Sequence, residues 1–195
     1  GMLIENPYQT WNEVNATLPA TKIEVIGPPP TSGTRDAFVE LVLEPLCVEL
    51  AEFKAKYPDK KERRKYCHLI REDKKFVEAG ENDNLIVQKL AHNADAIGIF
   101  GFSFLDQNAS IIQGSHIEGV EPSYDNIANG TYAIARPLYI YVKNQHIDTI
   151  QGMPEFLNEL TSEDAMGEEG YLSLKGLVPI ADEERTALNE RLNAL

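Results

Sequence analysis

Short apolar runs alternate along this chain with longer stretches of helical spacing. Lys22–Ile26 (KIEVI) alternates polar and apolar residues and stops at Gly27, which predicts a strand. Pro28-Pro29-Pro30 then stiffens the chain, and Thr31-Ser32 offers cap chemistry to a helix. From Gly33 to about Lys56, Phe38, Leu41, Val42, Leu46, Leu50 and Phe53 recur on one helical face, with a kink or break expected at Pro45. Residues 81–84 (ENDN) cap a further helix over Leu85–Ala91. Ala96–Gly101 (AIGIFG) reads as a buried strand, Ser110–Gln113 as another, and Pro122–Asn129 as a short helix ended by Gly130. Pro137–Lys143 (PLYIYVK) is the clearest strand in the chain. Helices follow near Met153–Leu160 and Asp182–Leu195, separated by a loop holding Gly167, Gly170 and Gly176. Strands alternating with helices predict an α/β protein with a largely parallel sheet.

Composition narrows the partners more than the fold. The chain has 195 residues and a net charge of −13, a field that repels nucleic acid and anionic membrane. An anionic ligand must therefore be captured by local donors, which screening over about 8–10 Å allows. No apolar run approaches the roughly 18 residues of a membrane span, and no signal-peptide h-region is present. Gly1-Met2 reads as a remnant of tag removal ahead of a start inside a longer gene. The basic run Lys60–Lys65 (KKERRK) is short and lacks interleaved aromatics, so it reads as a solvated helix face. Cys47 and Cys67 have no zinc spacing; they are either two thiols or, in an extracytoplasmic compartment, a bridge closing a loop of about 20 residues. His68, His92, His116 and His146 are scattered, and Gly114-Ser115-His116 lacks the second glycine of a nucleophile elbow. Neither a metal, a cofactor nor catalysis is expected.

The segment that carries chemistry is Lys22–Phe38, KIEVIGPPPTSGTRDAF. A helix start leaves backbone N–H groups unpaired and carries about half a positive charge, a good seat for an oxyanion. Three prolines cannot donate, so the donors begin at Ser32; Gly33 lets an anion approach the backbone, and the Ser32 and Thr34 hydroxyls add to them. Arg35 stands where a cation opposes the helix dipole by about 0.3–1 kcal/mol. A bound anion reverses that penalty, and a guanidinium grips it with two parallel bonds. The bland reading is a capped helix with Arg35 in solvent. Asn82, Asp83 and Asn84 read first as caps, Gly98 as strand packing, and Tyr139 and Tyr141 as core.

GPPPTSGTRDAF resembles the oxyanion-binding signature of periplasmic phosphate-binding proteins, the soluble receptors of phosphate ABC transporters. Residues 80–105 (GENDNLIVQKLAHNADAIGIFGFSFL), 124–143 (YDNIANGTYAIARPLYIYVK) and the GYLSLKGLVPI tail resemble the same family, in its order. The resemblance implies a type II periplasmic-binding-protein lobe, a mostly parallel sheet flanked by helices, plus a partial second lobe. It implies a lead-in over 1–21, a ligand-binding lobe over 22–135 and a return to the incomplete first lobe over 136–195. Ser32, Gly33 and Thr34 match the family's phosphate-contacting Ser-Gly-Thr. Pro28 and Pro30 stand where many members have arginine and aspartate, so Arg35 supplies the guanidinium instead, and selectivity for phosphate over another tetrahedral anion is weakened. The implied protein is a periplasmic, non-catalytic receptor of inorganic phosphate. Its expected partner is a membrane permease; no nucleic acid and no membrane insertion are expected. The alternatives are a receptor for another tetrahedral oxyanion and a phosphate sensor or interaction protein without a transport role. The amino-terminal lobe is expected to be missing, so this chain alone is expected to bind phosphate poorly.

Overall fold

The computed structural model describes residues 6–147 and 149–193; Leu195, the expected end of the last helix, lies outside them. The chain divides into two compact units, Gly1–Gln113 and Gly114–Leu195.

In the first unit a three-stranded, wholly parallel sheet runs in the order β2-β1-β3, formed by β1 (Val25–Gly27), β2 (Phe76–Glu78) and β3 (Ile97–Gly98). The central strand is held on both sides: the Val25 amide donates to Lys75 O and the Ile97 amide to Glu24 O, at 2.8 and 3.0 Å. Ahead of it, α1 (Trp11–Val14) is tied down by a bridge between Thr10 and Lys22 and by Trp11 Nε1 donating to Asp95 O at 2.9 Å. After it, α2 (Gly33–Phe38) passes through a π-turn (Val39–Leu43) into α3 (Glu44–Cys47). Pro45 does not break this helix. The helix is instead rewound as the π-turn just before this residue, a local distortion of the kind a proline brings, and the chain leaves the helix after Val48. Then come α4 (Ala51–Lys56) and α5 (Lys60–Cys67), the latter capped by the Asp59 carboxylate accepting from Glu62 N at 2.7 Å.

Cys47 and Cys67 form a disulfide, with Cα atoms 5.6 Å apart. It closes the question their spacing left open and staples α3 to α5 over a core of Val48, Phe53 and Tyr57. A second core lies under the sheet, where Ile26 and Ile86 are fully buried beside Ala79, with the partly buried Leu90 and Phe100 packed against them. Ile86 comes from α6 (Asp83–His92), whose cap is Asn82, accepting from Asn84 N at 3.0 Å. A Cβ on Gly98 would lie 2.5 Å from Leu90 Cδ1 and 2.8 Å from Phe100 Cε1, so this glycine serves the packing of α6 on β3. α7 (Phe102–Gln107) closes the unit.

Two expected strands do not form. Ser110–Gln113 is a turn, because the amides of Ile111 and Ile112 fold back onto Asn108 O at 2.9 and 3.1 Å. Pro137–Lys143 forms no ladder: Leu138, Tyr139, Ile140 and Tyr141 are 57–90% exposed, and their backbones find no partner among the described residues. A strand is stable only beside another strand, and no described strand lies alongside this one.

The second unit is helical: α8 (Tyr124–Ala128), α9 (Asn144–Ile147), α10 (Met153–Leu160), α11 (Glu163–Met166) and α12 (Asp182–Asn193). Ile147, Leu157 and Ala165 are its buried apolar residues. No helix among the described residues is long and apolar enough to cross a membrane.

Candidate functional site

Parallel strands deliver their following loops to one edge of a sheet, and ligands of open α/β sheets bind outside that carboxyl edge where strand order reverses. Here the order β2-β1-β3 puts the reversal beside β1, whose carboxyl end runs directly into the Pro28–Arg35 turn.

Ser32 is the N-cap of α2, in extended backbone, and its Oγ accepts from Thr34 N at 3.2 Å. Its own amide donates to Pro29 O at 3.0 Å, and Asp36 N donates to Ser32 O at 3.2 Å. Two of the amides expected to point at a ligand thus have partners within the turn. What the turn presents is Ser32 and Thr34, both partly exposed residues bearing hydroxyls, and the exposed Gly33.

Arg35 does not lie in solvent. Its side chain is 15% exposed, and Nη1 donates both to Pro28 O and to Glu78 Oε1, each at 3.2 Å. The guanidinium carbon sits 4.9 Å from the centre of the Phe76 ring, a cation–π contact. Phe76 in turn lies across Gly27, where an added Cβ would fall 2.5 Å from Phe Cζ. Gly27, Phe76, Glu78 and the buried Pro28 therefore form a bracket that fixes the arginine at the carboxyl ends of β1 and β2. The sequence reading missed Phe76 and Glu78. Strand β2 is three residues long, and its place beside β1 is set by a pairing of residues fifty-one apart.

Two more carboxylates join Glu78 at this edge. Thr31 Oγ1 donates to Glu81, and Asp83 accepts from the Gly101 amide at 3.3 Å. Partial burial, reinforced by the charge of Glu81, holds the Asp83 carboxyl above its ordinary value even though the Gly101 hydrogen bond pulls the other way. Of the residues first read as caps, Asn82 is one, and Asp83 also ties α6 to the start of α7. Tyr139 and Tyr141 belong to no core. No group of three or more metal-ligating side chains occurs among the described residues.

A parallel sheet whose central strand feeds a Ser-capped helix start, with a bracketed arginine in the first turn, makes the first unit an open α/β sheet with a polar helix start at its carboxyl edge. The chain belongs to the PBP superfamily: the family model described as a PBP superfamily domain matches residues 3–164. It is 28% identical over 174 residues to "Phosphate-binding protein PstS" of Staphylococcus epidermidis, covering 85% of this chain and 45% of that one. Against "Phosphate-binding protein PstS" of Staphylococcus haemolyticus it is 30% identical over 161 residues, 80% of this chain and 42% of the other. "Protein SphX" of Synechococcus elongatus is 29% identical over 197 residues, covering 97% of this chain and 49% of its own length. The fold matches the crystal structure of "a possible phosphate binding protein" from Planctomyces limnophilus with a TM-score of 0.65 at 24% identity, covering 97% of this chain and 60% of that one. The chain thus spans about half the length of the curated relatives it matches, or somewhat less.

Proposed function

We propose that this chain is one part of an extracytoplasmic receptor for inorganic phosphate serving ABC-transporter uptake, with Ser32, Gly33, Thr34 and Arg35 as its share of the ligand contacts. The observation that carries the reading is the bracketed Arg35. A guanidinium fixed in the first turn of a helix whose start also carries the Ser32 and Thr34 hydroxyls, bonded through Nη1 alone among the described residues and so with Nε and Nη2 to offer, suits the two parallel bonds an oxyanion accepts. Relatives bearing the name phosphate-binding protein support phosphate as the anion. So does the acidic edge: Glu78, Glu81 and Asp83 repel a fully ionised dianion such as sulfate, whereas a protonated phosphate oxygen donates to a carboxylate. The Cys47–Cys67 bridge supports an oxidising compartment.

In this reading residues 22–135 form one ligand-binding lobe and 136–195 return towards the other. A micromolar site needs about 8 kcal/mol, and charge-assisted hydrogen bonds contribute about 1.5–3 kcal/mol each. Once the freedom lost on association, about 4–15 kcal/mol, is set against them, the donors of residues 32–35 leave less than that, so in this reading this chain alone binds phosphate weakly and further donors complete the site. Titration calorimetry against phosphate, sulfate and molybdate tests the proposal. Weak binding of phosphate in preference to the others, lost in Ser32→Ala/Thr34→Val, is the expected result. Equal binding of all three anions would favour a general oxyanion receptor. Binding indifferent to those substitutions would overturn the site, and submicromolar binding would overturn the division of contacts. Hydrolysis of a generic phosphoester would overturn the receptor reading itself.

A further inference from the structure

Three asparagines of this chain stand in Asn-x-Ser/Thr triplets, the acceptor pattern for N-linked oligosaccharide: Asn15-Ala16-Thr17, Asn108-Ala109-Ser110 and Asn129-Gly130-Thr131. Bacterial transferases of this class also read a carboxylate two residues before the asparagine. Two of the triplets carry one, Glu13 and Asp106, whereas Asn129 has Ile127 there. The structure separates these two. Asn108 closes α7 and is partly buried. Its Nδ2, the atom that would receive a sugar, donates to Phe104 O at 2.8 Å. Its own amide donates to Leu105 O at 3.1 Å, and its carbonyl accepts from the amides of Ile111 and Ile112. Asn15 lies in extended backbone after α1, and every residue from Asn12 to Ala20 is exposed. Its Oδ1 accepts from the Thr17 amide at 3.0 Å and from the Thr17 hydroxyl at 2.8 Å, which leaves Nδ2 with no hydrogen-bond partner among the described residues. One backbone bond, from the Leu18 amide to Asn15 O at 2.9 Å, closes the turn across the triplet. A transferase must open such a turn to thread its acceptor, and an exposed turn with few bonds opens at little cost.

We propose that Asn15 is an acceptor for N-linked oligosaccharide, transferred from a lipid diphosphate carrier. The transfer joins Asn15 Nδ2 to the anomeric carbon of the first sugar and breaks that carbon's bond to the diphosphate. The lipid diphosphate departs with the bonding electrons, and the amide gives up one proton to a base of the transferase. Thr17 supplies the hydroxyl that the pattern requires. Glu13 supplies the negative charge. It is exposed, and the amides of Gln9 and Thr10, which donate to its Oε2 at 2.6 and 3.0 Å, hold its carboxyl below the ordinary value. Such transfer takes place outside the cytoplasm, so in the cell the proposal rests on the extracytoplasmic reading above. The site is separate from the anion turn. The bridge between Thr10 and Lys22 ties the start of α1 to the chain just before β1, whereas Ser32–Arg35 follow the carboxyl end of that strand.

The test is incubation of the folded, disulfide-bonded chain with a purified bacterial oligosaccharyltransferase and an undecaprenyl-diphosphate-linked oligosaccharide. A short acceptor peptide in the same tube reports that the enzyme works, and intact mass with peptide mapping reads the product. The expected result is one glycan, on Asn15. Asn15→Gln and Thr17→Val are expected to abolish it and Thr17→Ser to keep it. Glu13→Gln preserves the capping box of α1 and is expected to lose most of the glycan. A circular dichroism melt of each variant separates these losses from misfolding. A phosphate titration of the glycosylated chain is expected to match that of the bare chain. Failure of the anion site and failure of the acceptor site are thereby told apart, and the reaction in the tube does not depend on the compartment the chain occupies. A folded chain left bare while the peptide is modified would overturn the proposal. So would a glycan on Asn108 or Asn129 in place of Asn15, or one on Asn15 that survives Thr17→Val.

Discussion

Replacing Arg35 by alanine removes three contacts at once, and the structure fixes the size of each. The carbonyl of Pro28, a residue buried almost completely, loses its partner, which costs about 1–3 kcal/mol for an unsatisfied buried group. The guanidinium leaves the Phe76 ring, a loss of about 0.5–1 kcal/mol. The pair with Glu78 is worth little, about 0–1 kcal/mol, because that carboxylate is half exposed and well screened. These contacts share one side chain and do not add strictly, so the expected destabilisation is about 2–3 kcal/mol. Urea unfolding followed by the fluorescence of Trp11 would register it as a midpoint lowered by about 1 M or more. Arg35→Lys keeps the charge but not the fork, and it is expected to recover part of the stability and little of the anion binding. The bracket is refuted if Arg35→Ala unfolds at the wild-type midpoint. The site is refuted if the folded variant binds phosphate as the wild-type chain does.

Gly27→Ala puts a methyl group against the Phe76 ring; overpacking of this kind costs about 1–3 kcal/mol, and anion binding should fall along with stability as the ring under Arg35 shifts. Calorimetry and urea unfolding of that variant report the two losses separately. Cys67→Ser opens a loop of about 20 residues and is expected to cost about 3 kcal/mol, an effect that reductant should reproduce on the wild-type chain and not on the variant. Hydrogen bonding from His68 and the charge of Arg64 hold the Glu44 carboxyl below its ordinary value. A lowered folded value means stability that is present above the unfolded value of about 4.3 and is lost as pH falls through the folded one. Glu44→Gln is therefore expected to be less stable than wild type at neutral pH and to converge with it in acid; a constant gap down to the lowest pH would contradict this.

Much of this molecule is legible in local pattern. The strand, the proline turn and the Ser-capped helix at residues 22–38 follow from alternation and cap chemistry within a few residues of one another. The helices at Asp83–His92 and Met153–Leu160 likewise follow from spacing and capping that the chain carries locally. What tertiary structure alone decided depends on residues far apart. Glu78 and Phe76 reach Arg35 only because β2 pairs with β1 across fifty-one positions, and the two cysteines are bridged because α3 and α5 fold side by side. The same physics explains the strand that failed to form. PLYIYVK has the composition of a buried strand, but composition supplies no neighbour, and a backbone without a ladder partner remains open however strongly its side chains favour extension.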